Sequence, residues 1–86
     1  MRLDKFLKLS SLAKRRSVAK EALDAGRVEH DGRAAKPSYN VKIGDVLTIH
    51  YATRELCVRV TALPEPAGAR VAGRDMYAII SDLPTQ

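Results

Sequence analysis

Apolar residues recur along this chain with two different periods, and the change from one to the other divides it. Leu3, Phe6 and Leu7 stand at i, i+3 and i+4, and Val18, Ala22 and Leu23 repeat a helical spacing, so each set lines one face of a helix. The first helix is predicted from near Arg2 to near Leu9. The second begins between Lys14 and Ser17 and ends at Gly26, a residue that suits the left-handed position just past a helix. Ser10 and Ser11 interrupt the pattern and form the joint, with hydroxyls able to satisfy backbone groups at the helix ends. Asp4 falls in the first turn, where a carboxylate favours the helix dipole, and four residues before Lys8, a favourable pair. Its predicted role is structural.

From Arg27 the period becomes two. Arg27 to His30 reads as a short strand, and Asp31-Gly32 as a two-residue hairpin turn in which both positions tolerate positive φ. Arg33 to Asn40 contains Lys36-Pro37-Ser38, and Pro37 restricts this run to an edge or a loop. Lys42-Ile43-Gly44-Asp45 is a second turn. Val46 to Tyr51 alternates with Leu47, Ile49 and Tyr51 on one side, and Glu55 to Leu63 alternates with Leu56, Val58 and Val60 inward, joined through Ala52-Thr53-Arg54. Pro64 to Asp75, rich in Pro, Gly and Ala, is predicted as an exposed mobile loop that carries Arg70 and Arg74. Met76 to Ser81 is the closing strand, and Asp82 to Gln86 a frayed tail. The expectation is an α+β domain with two N-terminal helices on a small, mostly antiparallel sheet.

With 86 residues the chain is expected to be one domain, too small for a deep catalytic cleft together with a cofactor site. No apolar run approaches a membrane span, and the N-terminus lacks a signal peptide's apolar core, so the cytoplasm is the expected compartment and no membrane partner is expected. Cys57 is the only cysteine, so no internal disulfide can form.

Charge adds the functional signal. Residues 1–43 hold eleven Lys/Arg against five Asp/Glu, a net +6, whereas residues 44–86 hold four against five, a net −1. A basic field confined to the helical half attracts a polyanion, nucleic acid first. Arg2, Lys5, Lys14, Arg15, Arg16 and Lys20 are the candidates for phosphate contact, with Arg2 and Arg16 foremost because a guanidinium binds phosphate in two places. Lys36 would widen the patch, and Arg27 is a further candidate. Phe6 belongs to the core face, which leaves Tyr39, Tyr51 and Tyr77, too few for reading single strands by stacking. An enzyme is the first rival class, but His30, His50, Cys57, Asp31 and Asp45 form no catalytic motif and no metal-ligand spacing. No catalytic residue, metal or cofactor is expected. A helix-turn-helix DNA binder is the second rival. A protein adaptor acting through its near-neutral sheet is the third.

The ordered series RLDKFL, S-x-L-x-KRR-x-x-AK, G-R-V, a D-G turn, K-P-S and GD-x-L-x-I resembles the S4 RNA-binding domain from Arg2 to Ile49, and Met76-Tyr77-Ala78-Ile79 extends the match. The resemblance implies the S4-type (αL-like) fold, two helices on a strongly bent sheet, with a core motif at 2–49, the mobile loop at 64–75 and the closing strand at 76–81 of a single domain 1–86. Within that superfamily the chain most resembles the free-standing bacterial RqcP type. That resemblance implies a non-catalytic factor of ribosome-associated quality control, monomeric when free. It would bind large-subunit rRNA and peptidyl-tRNA on obstructed large ribosomal subunits and hold P-site tRNA while an RqcH-type factor adds alanine tails. The small heat-shock protein of stalled large subunits shares K-P-S and ranks second, because its long basic C-terminal extension is not expected here.

Overall fold

The computed structural model describes residues 1–64 and 70–85. Helix α1 spans Leu3–Leu9 and buries Leu3, Phe6 and Leu7, the i, i+3, i+4 stripe. Its first turn is closed by the segment that follows the hairpin. The Leu3 N–H donates to the Tyr39 carbonyl at 2.8 Å and the Asp4 N–H to the Pro37 carbonyl at 3.2 Å. Lys36-Pro37-Ser38 therefore runs across the start of α1.

The joint turns through Ser11, which adopts φ 64 without being glycine. Ser10 is buried, and its hydroxyl donates to the Leu7 carbonyl at 3.2 Å, satisfying one acceptor at the helix end. Helix α2 spans Arg16–Asp24 and ends at Gly26, φ 74. Its buried residues are Ala19 and Leu23, with Ala22 packed against them. Val18, predicted for the inner face, is instead 45% exposed. At about 100° per residue, the stripe set by Ala19, Ala22 and Leu23 leaves Val18 at its margin.

Strands β1 (Val28–His30), β2 (Arg33–Ala34), β3 (Val46–His50), β4 (Arg54–Val60) and β5 (Tyr77–Pro84) form one sheet in the order β2-β1-β3-β4-β5, every neighbouring pair antiparallel. Asp31 and Gly32 both take positive φ, as the hairpin turn requires. The register sets Val28 opposite Ile49 and Leu47 opposite Val58, so the centre of one sheet face is apolar. The two helices cover that face around Phe6, Leu47, Val58 and Met76, all buried.

Two expectations are corrected. The closing strand does not end at Ser81 but continues to Pro84, and the supposedly frayed Thr85 donates its N–H to the Thr53 carbonyl at 2.9 Å. The reason is a full antiparallel ladder: β5 pairs along all of β4, from Val60–Tyr77 to Arg54–Pro84, and Pro84 sits at an edge position where a missing donor costs little. Within the predicted mobile loop 64–75, residues 65–69 lie outside the described residues, but Gly73–Asp75 is a 3-10 turn packed on the end of α1. A Cβ on Gly73 would lie 2.7 Å from the Leu9 carbonyl oxygen, so only glycine permits this approach.

Candidate nucleic-acid interface

Asp4 organises the cationic corner. Its side chain is 3% exposed, and both oxygens face guanidinium groups: Arg2 Nε and Nη2 at 3.3 Å, Arg16 Nε and Nη2 at 3.4 Å. One oxygen also accepts the Lys5 backbone N–H at 2.8 Å. Burial pushes the Asp4 carboxyl up. The Lys5 N–H and the two guanidiniums outweigh it, so the group sits below its ordinary value and stays ionised. The predicted pairing with Lys8 is replaced by this bridge between the start of α1 and the start of α2.

The consequence for the candidate residues is specific. Arg2 and Arg16, fourteen residues apart in the chain, are brought onto one carboxylate, yet their side chains remain 53% and 52% exposed. Each turns Nε and Nη2 toward Asp4, so Nη1 of each lies outside these contacts. Two positive charges against one negative leave the bridge net positive. Lys5, Lys14, Arg15 and Lys20 are exposed, and the described ion pairs of the chain engage no lysine. Arg15 is the N-cap of α2, and no side chain caps that helix. Its first-turn N–H groups lack helical acceptors, an arrangement suited to an anion. Lys36 is carried to the start of α1, because the Pro37 and Tyr39 carbonyls that follow it accept the Asp4 and Leu3 N–H groups. Arg27 is the exception. It lies past the far end of α2, whose span from Arg16 to Asp24 rises about 12 Å along its axis.

The corner is tied to the sheet by contacts that periodicity does not reveal. The Tyr51 hydroxyl donates to the Leu12 carbonyl of the joint at 2.7 Å, and the Arg54 guanidinium lies 5.0 Å from the Tyr51 ring centre. Tyr39 stacks on His30 with ring centres 4.7 Å apart and donates to Asp45 at 2.8 Å. Burial, that hydrogen bond and the Asp45 and Asp31 charges push the Tyr39 phenol up to about 12. Both tyrosines are thus committed to internal contacts. His50 lies between Glu29 at 2.8 Å and Glu55 at 3.4 Å. Among the described residues no cluster of three or more His, Cys, Asp or Glu could hold a metal ion, and no helix is long and apolar enough to cross a membrane. The Asp4 bridge was missed from sequence because neither Arg2 nor Arg16 stands at helical spacing from it.

A family model described as the S4 domain matches residues 1–47. The RQC P-site tRNA stabilizing factor of Listeria monocytogenes is 45% identical over 82 residues, 95% of this chain and 88% of that one. The protein of the same name from Bacillus subtilis is 44% identical over 82 residues, 95% and 94% of the two chains. Heat shock protein 15 of Escherichia coli is 35% identical over 65 residues, 76% of this chain but 49% of that one. The trimeric structure of Vibrio cholerae Heat Shock Protein 15 superposes with a TM-score of 0.79 at 30% identity, over 92% of this chain and 80% of the other. With two helices over a five-stranded antiparallel sheet and these relatives along nearly its whole length, the chain belongs to the S4-domain family and, within it, to the group of RQC P-site tRNA stabilizing factors.

Proposed function

We propose that this chain, acting as one S4 unit in the cytoplasm, is a non-catalytic RNA-binding factor that grips large-subunit rRNA and peptidyl-tRNA on obstructed large ribosomal subunits. It stabilises the P-site tRNA while an RqcH-type factor extends the stalled chain with alanine. The observation that carries this reading is the Asp4 bridge, which presents Arg2 and Arg16 together at the head of an exposed basic corner. Relatives named for P-site tRNA stabilisation support an RNA partner for this corner. Free Nη1 groups of the two arginines meet phosphate oxygens, Lys5, Lys14, Arg15 and Lys20 add charge around them, and Lys36 extends the contact along the start of α1. At the corner, backbone geometry rather than base identity is recognised, because the Tyr39 and Tyr51 hydroxyls are hydrogen-bonded internally. The free protein is a monomer in this reading. A heat-shock-type rescue factor is the second reading, favoured by the solved structure at TM-score 0.79.

The test is co-sedimentation with isolated large subunits across a salt series. Neutralising about four to six phosphates gives a steep fall of affinity with salt. Arg16→Ala weakens binding at every salt concentration and flattens the slope by about one contact. Normal binding by that variant overturns the assignment.

A further inference from the structure

We propose that the groove between α2 and the adjoining end of the sheet is a site for one unpaired nucleotide, continuous with the cationic corner and distinct from its phosphate contacts. The inference rests on the RNA-binding reading of that corner. The groove is a cavity of about 440 Å³, within the range of ligand pockets of roughly 300–1,000 Å³. It exists because α2 and the joint present Ala13, Ala19 and Ala22 toward the sheet, where longer side chains would close the gap. Val18, an apolar residue of α2 that the core does not bury, stands in its wall at 45% exposure.

The lining is divided by chemistry. The floor is aliphatic, from Leu7, Val28 and Ile49 among others, whereas Lys14, Arg27 and Arg54 all line it and no carboxylate does. Tyr51 supplies an aromatic wall held in place by its hydroxyl on Leu12, with the Arg54 guanidinium over its ring. An apolar, aromatic-walled slot with a cationic rim is complementary to a flat base attached to a phosphate. Lys14 belongs to both regions, since it lines the groove and immediately precedes Arg15-Arg16. A strand gripped at the corner therefore has a path into the groove. Arg27, remote from the Asp4 bridge, acquires a role at the groove's other end, where it also borders a smaller cavity with Val18 and Ala22.

The experiment titrates the full ¹⁵N-labelled chain with adenosine 5′-monophosphate, inorganic phosphate and N-acetyl-leucine amide, followed by NMR. The monophosphate is expected to shift the amides of Ser11, Val18, Ala22 and Ala52 saturably, while inorganic phosphate shifts only residues around Arg15–Ser17. Ala22→Leu, which fills the groove, weakens nucleotide binding by about fivefold or more. Val18→Gln acts in the same direction from an exposed position, which guards against a folding defect in the first variant. Unmoved groove amides overturn the proposal, as does an equal response to the leucine amide, which marks a general apolar or protein-binding surface. If the nucleotide leaves the groove unmoved while Arg16→Ala still releases the large subunit, the groove assignment falls and the corner stands. If the groove takes nucleotide while Arg16→Ala binds subunits normally, the corner falls, and with it the shared strand path proposed here.

Discussion

The helical corner and the outer edge of the sheet are both exposed, but for opposite reasons. At the corner the exposed groups are cations, and they stand where they do because a buried carboxylate holds two of them. At the β5 edge the exposed groups are Ile79, Ile80 and Leu83, at 58%, 50% and 55%, apolar side chains outside the buried core. Two short helices cannot cover five strands, so the outermost strand is left bare. The lesson is that exposure identifies an interface only when the interior has organised what is exposed. Preorganised side chains lose less entropy on binding, which is where the corner gains over a merely basic surface.

The sharpest way to break this comparison is Asp4→Asn. The substitution raises net charge by one, so a surface that binds RNA by charge alone would bind it more tightly. If position matters more, Arg2 and Arg16 lose their shared anchor and affinity for large subunits falls about tenfold, the worth of roughly one oriented phosphate contact. Stability falls by about 1–2 kcal/mol from the lost charged hydrogen bonds. Co-sedimentation together with a denaturation midpoint separates the two effects, and tighter binding would reduce the corner to a diffuse field.

That bridge also marks the limit of what the chain discloses before it is folded. Both helices, the Asp31-Gly32 turn and the alternation through Val46–Tyr51 and Glu55–Leu63 were legible, because local periodicity and turn chemistry decide them. The candidate cations were legible as types, and the sequence placed all but Arg27 and Lys36 in one helical stretch. Three features were not. Arg16 meets Asp4 across a chain reversal, Val18 leaves the core because Ala19 takes its place, and β5 reaches Pro84 because β4 is long enough to pair with it. Each depends on which elements become neighbours, and no window of local sequence contains that.

Gly73→Ala tests whether corner and edge communicate. The 3-10 turn that leads into β5 rests on the end of α1, and an added Cβ would meet backbone atoms of Leu9 and Ser10 at 2.7 and 3.3 Å. Alanine restricts the unfolded chain, which favours folding by about 0.4–1 kcal/mol. The backbone cannot yield as a side chain tip could, so the clash prevails, for a net loss of about 1–2 kcal/mol. A thermal melt reads it. An unchanged midpoint would show that the turn can lift off α1 freely and that the two regions are independent.

Extremes of pH are expected to give a smaller difference. Asp4 has a carboxyl held below its ordinary 3.8, so its contribution is present above that value and is lost as pH falls through the lower folded value. Tyr39 runs the other way: its phenol is raised from 10.0 to about 12, so its contribution is intact below 10 and is lost as pH rises toward 12. Denaturation midpoints from pH 8 upward should fall more steeply for the native chain than for Tyr39→Phe. Equal slopes would remove Tyr39 from the support of the segment that closes α1.

The smallest effect is expected where most apolar surface is exposed. Ile79→Thr with Leu83→Thr keeps β-branched or strand-compatible side chains on β5 and removes two bulky groups from solvent. Neither side chain is in the buried core, so stability should move by no more than about 0.5 kcal/mol per site. Large-subunit affinity and its salt slope should not move at all, since no candidate cation lies on this strand. Solubility should rise, because a bare strand edge with large apolar groups invites pairing between chains. A loss of subunit binding comparable with that of Arg16→Ala would place the edge inside the interface. The contrast between an organised corner and an uncovered edge would then give way to a single surface that wraps around the sheet.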